Sequence, residues 1–113
     1  MNTYPNVAVV GMHFRGSDAV QLAASLEPPT ALRLQREPEN EWDANAIKVF
    51  YEDTWIGYVE RGQAMWISMD LDTGSTAVAR VTGNEVRGKN IHPILTIYTL
   101  TAGEAAPELE PAP

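Results

Sequence analysis

Apolar and polar residues alternate along this chain in short runs separated by turn formers, a pattern that predicts strands more often than helices. Asn6 to Met12 is apolar and β-branched and predicts a strand that meets Gly11, then the polar aromatic segment His13-Phe14-Arg15-Gly16. Ser17 is the expected N-cap of a short helix. Ala19, Leu22, Ala23 and Leu26 follow at the spacing of one helical face, and Pro28-Pro29 stops the run. Ala31 to Arg36 alternates, with Leu32 and Leu34 on one face and Arg33 and Gln35 on the other, as a half-buried strand does. After a loop over Glu37 to Asn45, Ala46 to Tyr51 alternates again. Glu52-Asp53-Thr54 then connects tightly to Trp55-Ile56-Gly57-Tyr58-Val59, which predicts a hairpin. Gln63 to Leu71 suits a second helix with Ala64, Ile67 and Leu71 inward, ended at Asp72-Thr73-Gly74. Ala77 to Thr82 and Ile91 to Leu100 read as strands joined across Gly83 to Asn90. The order predicts a mainly β domain with two short helices (α+β), arranged as a small barrel.

A length of 113 residues fits one domain with a modest core. The expected division is an ordered domain over residues 1–101 and an acidic, Pro- and Ala-rich disordered tail over 102–113. With no cysteine, and with His13 and His92 far apart, neither a disulfide framework nor a metal site is expected, and no cofactor is implied. No apolar run approaches the roughly 20 residues of a membrane span, and the N-terminus lacks signal-peptide features. A soluble, cytoplasmic protein of unspecified oligomeric state is the expectation.

The formal charge is −7; Glu104, Glu108 and Glu110 lie in the tail, leaving 12 acidic against 8 basic residues before it. The longest basic cluster is Arg87-Gly88-Lys89, too little for broad duplex binding by phosphate neutralisation. A compact site that reads one or two nucleotides needs only a few cations and stays open.

The most particular stretch runs from Arg36 to Val49. Asn40, Asp43 and Asn45 are residues that bond their own backbone and hold irregular loops, and Trp42 stands among them with no local apolar neighbour. An aromatic carried on a polar loop invites a stacking partner. Plainer readings stand beside this one: Phe14 as a core aromatic, Trp42 as loop packing, Asp43 and Asn45 as loop formers. His13 is open to reading as an ordinary surface or core histidine, Lys48 and Arg61 as solvated cations. Trp55 and Trp66 read as core or interface without a specific role.

Three segments carry a family resemblance: Val9-Val10-Gly11-Met12-His13-Phe14, Leu34 to Val49 with its Arg-x-Pro and Asn-x-aromatic-Asp-x-Asn-Ala-Ile spacing, and Ile56-Gly57-Tyr58-Val59. Together they resemble the HIRAN domain, over roughly Val7 to Tyr98. The resemblance implies an OB-like barrel. It also implies the activity known from fork-remodelling helicase-like proteins, where the domain grips the 3′ end of single-stranded DNA. The family's two sandwiching aromatics fall on Phe14 and Trp42, its acidic residue at the 3′-hydroxyl on Asp43, and its base-approaching asparagine on Asn40. His13-Phe14-Arg15 stands where the helicase-linked form has a basic-aromatic-aromatic run, Tyr58 replaces a polar residue, and Arg61 stands in a lysine-rich stretch. Arg15, Lys48 and Arg61 are the cations placed to reach the last phosphates, and Tyr58 offers a hydroxyl.

With no motor, nuclease or P-loop motif, the resemblance implies a non-catalytic DNA-binding module in repair or replication, with a helicase or nuclease chain as possible partner. A second reading makes the acidic surface and tail a protein-interaction or DNA-mimic domain. A third, hydrolytic, reading needs Asp43 with Glu39 or Glu41 to gather a metal.

Overall fold

Strands form here because β-branched and leucine side chains recur at alternate positions, and closing those strands into a cylinder buries that face of each. The computed structural model describes residues 1–108; the last part of the expected acidic tail, residues 109–113, lies outside the described residues. Strands β1 (Asn2–Val10), β2 (Ala31–Arg36), β3 (Ile47–Tyr51), β4 (Thr54–Val59), β5 (Thr76–Arg87) and β6 (Asn90–Leu100) are joined by helices α1 (Ser17–Ser25) and α2 (Arg61–Asp72). A single 3-10 turn, Met12–Arg15, links β1 to α1. The strands close in the order β1-β4-β3-β2-β5-β6, every pairing antiparallel. This is a closed, mostly β, OB-like barrel with two helices, the predicted fold class.

Val7, Val9, Ile47, Val49, Ile56, Val81, Leu95 and Ile97 are fully buried and fill the barrel. Helix α1 packs on β4 and β6 and buries Ala19 and Ala23, followed by Leu26; α2 packs on β1, β5 and β6 and buries Ala64, Ile67 and Ser68. A carboxylate anchors α2: Asp70 Oδ2 accepts from Asn2 Nδ2 at 2.9 Å, the Tyr4 hydroxyl at 2.6 Å and the Thr99 hydroxyl at 2.7 Å. Burial alone would raise the Asp70 carboxyl, but the hydrogen bonds from Tyr4, Asn2 and Thr99 hold it below its ordinary value. Tyr4 is pushed up to about 12 by burial, then by its bond to Asp70 and that group's charge. At the other end of the chain, Glu104 accepts from the Thr101 backbone N–H at 2.7 Å and from the N-terminal ammonium at 2.9 Å.

Three local expectations need correction. The N-cap of α1 is Gly16, with no side-chain capping bond, and Ser17 is the first helical residue. Strand β1 starts at Asn2, because Asn6 adopts a positive φ of 57° and a bulge between Tyr4 and Val7 lets the chain keep pairing with β6. Gly83 to Asn90 is no long connection. Strand β5 continues to Arg87 and pairs with β6 as far as Arg87↔Asn90, so Gly88 and Lys89 make the turn. On α2 the inward Leu71 is half-buried and packs against the core as expected, whereas Trp66 is 56 % exposed and belongs to no core.

Where β1 crosses β4, the chains come unusually close. A Cβ built on Gly57 would lie 2.5 Å from the Val10 carbonyl oxygen and 3.1 Å from Val9 Cγ1, so only glycine fits there. The β1–β4 ladder has two pairs, Val9↔Val59 and Val10↔Tyr58, and the candidate site lies on it.

Candidate functional site

Gly11 ends β1 with φ 77°, a left-handed conformation that glycine adopts without strain, and the chain folds at once into the 3-10 turn. That turn buries Met12 and displays Phe14, which is 81 % exposed. The opposite wall comes from the loop between β2 and β3, built almost wholly of polar bonds to its own backbone. Asn40 Oδ1 accepts from the N–H groups of Trp42 at 2.8 Å and Asp43 at 2.9 Å, and Asp43 Oδ1 accepts from the Asn45 N–H at 2.9 Å. Arg36 braces the far side: it donates to the carbonyls of Ala44 at 2.9 Å and Ala46 at 2.8 Å, while Asp72 holds its Nε at 2.9 Å. So fixed, the loop presents Trp42 with 84 % of its surface bare. Neither Phe14 nor Trp42 therefore serves the core.

Both aromatics line one cleft of about 430 Å³, with Val10, Gly11, Ala46, Tyr58 and Val59 beneath them and Asn40, Asp43 and Arg61 at its edges. Arg61 sits on the Trp42 side, its Nε 3.6 Å from Asp43 Oδ2 and its guanidinium donating to the Trp42 carbonyl at 3.4 Å. Below the cleft a single carboxylate orders the polar groups. Glu37 Oε1 accepts from the Tyr58 hydroxyl at 2.9 Å and from Asn40 Nδ2 at 2.6 Å, and Oε2 pairs with Lys48 Nζ at 2.8 Å. Burial would raise the Glu37 carboxyl, but Lys48, Asn40 and Tyr58 together bring it below its ordinary value. Burial, and then the bond to Glu37 and its charge, push the Tyr58 phenol up. Tyr58 thus stays a neutral donor whose proton is engaged by Glu37.

The remaining predicted site residues stand outside the lining. His13 is exposed and leans on Phe14, ring centroids 4.0 Å apart at 40°. Arg15 and Lys48 lie over the half-buried Trp55, at 3.5 Å and 4.3 Å from its ring centroid. Sequence reasoning gave Trp55 no role and assigned none to Glu37 or Arg36, although Arg36 opens the Arg-x-Pro motif; their parts are set by partners that the local sequence does not reveal. Glu39 and Glu41 are exposed, and among the described residues no group of three or more His, Asp or Glu side chains could hold a metal ion. Among the same residues no helix is long and apolar enough to cross a membrane.

An aromatic-walled cleft with hydrogen-bonding edges, on the rim of a closed antiparallel barrel, defines a small OB-like domain with a ligand-sized recess. The family model described as the HIRAN domain matches residues 4–97, and the chain belongs to the HIRAN family. A crystal structure of a protein from Lactobacillus plantarum is similar over 84 % of this chain and 93 % of that one, with 28 % identity and a TM-score of 0.68. The crystal structure of the HIRAN domain of human HLTF is similar over 87 % of this chain and 74 % of that one. Its TM-score is 0.64 and its identity 19 %, a likeness of fold. A search of curated proteins found no match.

Proposed function

We propose that this chain is a non-catalytic module that binds single-stranded DNA at a free 3′-hydroxyl end, in the cytoplasm, in support of DNA repair or replication beside a separate helicase or nuclease chain. The observation that carries the reading is the pair Phe14 and Trp42, bare at 81 % and 84 % and lining the same cleft. Large aromatics left this exposed on a loop built to hold them are stacking surfaces, and each base stacked is worth about 1–3 kcal/mol whatever its identity. Asp43 supplies the polarity. Its carboxylate accepts hydrogen bonds but donates none, which suits a free hydroxyl and repels a phosphate or a continuing strand. Asn40 and Tyr58, both bonded to Glu37, border the cleft and fix its polar edge. A cleft that needs few cations is compatible with a chain of net charge −7.

The test is fluorescence anisotropy with short single strands labelled at the 5′ end and finishing in a 3′-hydroxyl or a 3′-phosphate. The wild-type chain is expected to prefer the hydroxyl, and Trp42→Ala to weaken binding by roughly 5- to 150-fold without loss of folding. The charge of −7 favours a second reading, in which the acidic surface imitates nucleic acid and engages a partner's DNA site. The same experiment separates the two. A DNA-binding module releases its strand as salt rises, whereas a mimic binds neither oligonucleotide even at low salt.

A further inference from the structure

The clamp formed by Phe14 and Trp42 leaves unused the half-buried indole beside it. Trp55 is rigidly placed: its Nε1–H donates to the Gly57 carbonyl at 2.9 Å, and its ring meets Tyr58 edge-on at 5.5 Å and 81° and lies over Phe50 at 6.5 Å and 27°. The guanidinium carbon of Arg15 sits 3.5 Å from the centroid of that ring. At this separation an edge-on guanidinium would drive a nitrogen into the indole, so the group rests on its face. All five guanidinium N–H bonds lie in its own plane, and stacking therefore leaves the donor fork open to solvent.

The two cations at or beneath the cleft itself are committed. Lys48 pairs with Glu37 at 2.8 Å and Arg61 faces Asp43 at 3.6 Å. Farther off, Arg36 pairs with Asp72 at 2.9 Å and Arg87 with Glu60 at 3.0 Å. Among the described residues Arg15 has no carboxylate within ion-pair distance. A guanidinium held flat on an aromatic, with its fork free and its charge unpaired, is prepared for a phosphate oxygen pair. Its place in the chain fixes which phosphate. Arg15 directly follows Phe14, and Trp55 touches the cleft-lining Tyr58, whereas Asp43 and Arg61 lie with Trp42.

Building on the reading above, we propose that Arg15 seated on Trp55 is the subsite for the last internucleotide phosphate of a single strand. The strand enters over Trp55 and ends at Asp43. Trp55 is then a positioning residue that acts through Arg15, and the preferred ligand carries a charged linkage next to its terminal base.

The experiment uses tetrathymidylate with a 3′-hydroxyl, once with native linkages and once with its last linkage made neutral as a methylphosphonate, titrated calorimetrically into the full chain. In the wild type the neutral linkage is expected to cost on the order of tenfold in affinity. In Arg15→Ala that difference disappears, because the exposed Arg15 contributes to binding and not to the core; Arg15→Lys keeps part of it. Trp55→Leu, checked for folding by circular dichroism, also loses the linkage difference and so separates a positioning role from general damage. An equal penalty for the neutral linkage in wild type and Arg15→Ala overturns this assignment while leaving the terminal clamp intact, provided Trp42→Ala still weakens the native strand. If the wild-type chain binds neither strand, the end-binding reading and this subsite fall together.

Discussion

Replacing Gly57 by alanine adds one methyl group at the crossing of β4 over β1. The built Cβ lies 2.5 Å from the Val10 carbonyl oxygen, against a floor of 3.0 Å for real Cβ contacts, so the two strands must separate by about 0.5 Å. The obstructing atom is backbone, and Val9 Cγ1 at 3.1 Å crowds the same spot, so no side-chain rotation gives relief. Overpacking of this kind costs about 1–3 kcal/mol. An opposing effect exists, since alanine in place of glycine restricts the unfolded chain and contributes about 0.4–1 kcal/mol. At mid-range the clash wins by about 1 kcal/mol, which lowers the melting temperature of a domain this size by roughly 4–8 °C. Gly62→Ala measures the opposing term alone, because Gly62 lies in α2 with open space around its would-be Cβ, and it is expected to melt at or slightly above wild type. Thermal unfolding followed by circular dichroism decides the matter. A Gly57→Ala protein that melts at or above the wild-type temperature refutes the argument that close backbone approach dictates glycine here.

Three further outcomes follow from the bracing of the loop and of α2. Arg36→Met keeps the aliphatic stem but removes the donors to Ala44, Ala46 and Asp72; a loss of about 1–3 kcal/mol is expected in denaturant unfolding, with faster amide exchange across residues 40–46. With Tyr4 raised from 10.0 to about 12, the unfolded state loses its phenol proton first as pH rises. The contribution of Tyr4 is thus complete below pH 10 and lost on the way to pH 12, so wild type should lose stability over that window more steeply than Tyr4→Phe. On the acid side Asp70 is lowered, its contribution holds above the ordinary carboxylate range and fades as pH falls through its folded value, and Asp70→Asn should flatten that limb of the urea-midpoint curve.

How much of this was legible depends on whether burial wrote a pattern into the residues. Strands β2, β3 and β4 carry one buried face, so alternation located them within a residue, and the fold class and the hairpin turn at Glu52 and Asp53 followed. The distal half of β5 was not legible, because Thr82 to Val86 stand largely exposed and present no alternation to detect; cross-strand pairing with β6 alone makes them a strand. The cleft divides similarly. Asn40, Trp42 and Asp43 stood out because polar loop formers around a lone aromatic form a local signal, whereas Phe14 stood out only through the resemblance to the HIRAN domain. Glu37 and Trp55 remained silent: a carboxylate under Tyr58 and an indole under Arg15 acquire meaning only when the barrel brings distant segments together.

The two-pair ladder between β1 and β4 is among the shortest seams of the barrel, matched by that between β2 and β5, whereas β5 and β6 pair along almost their whole length. Phe14 hangs from the β1 side of the seam, while Trp42 is tied through Arg61 to the segment that follows β4. A ligand lodged between them would span this joint, and is expected to slow amide exchange across the β1–β4 seam more than across the β1–β6 ladder, which pairs independently of the cleft.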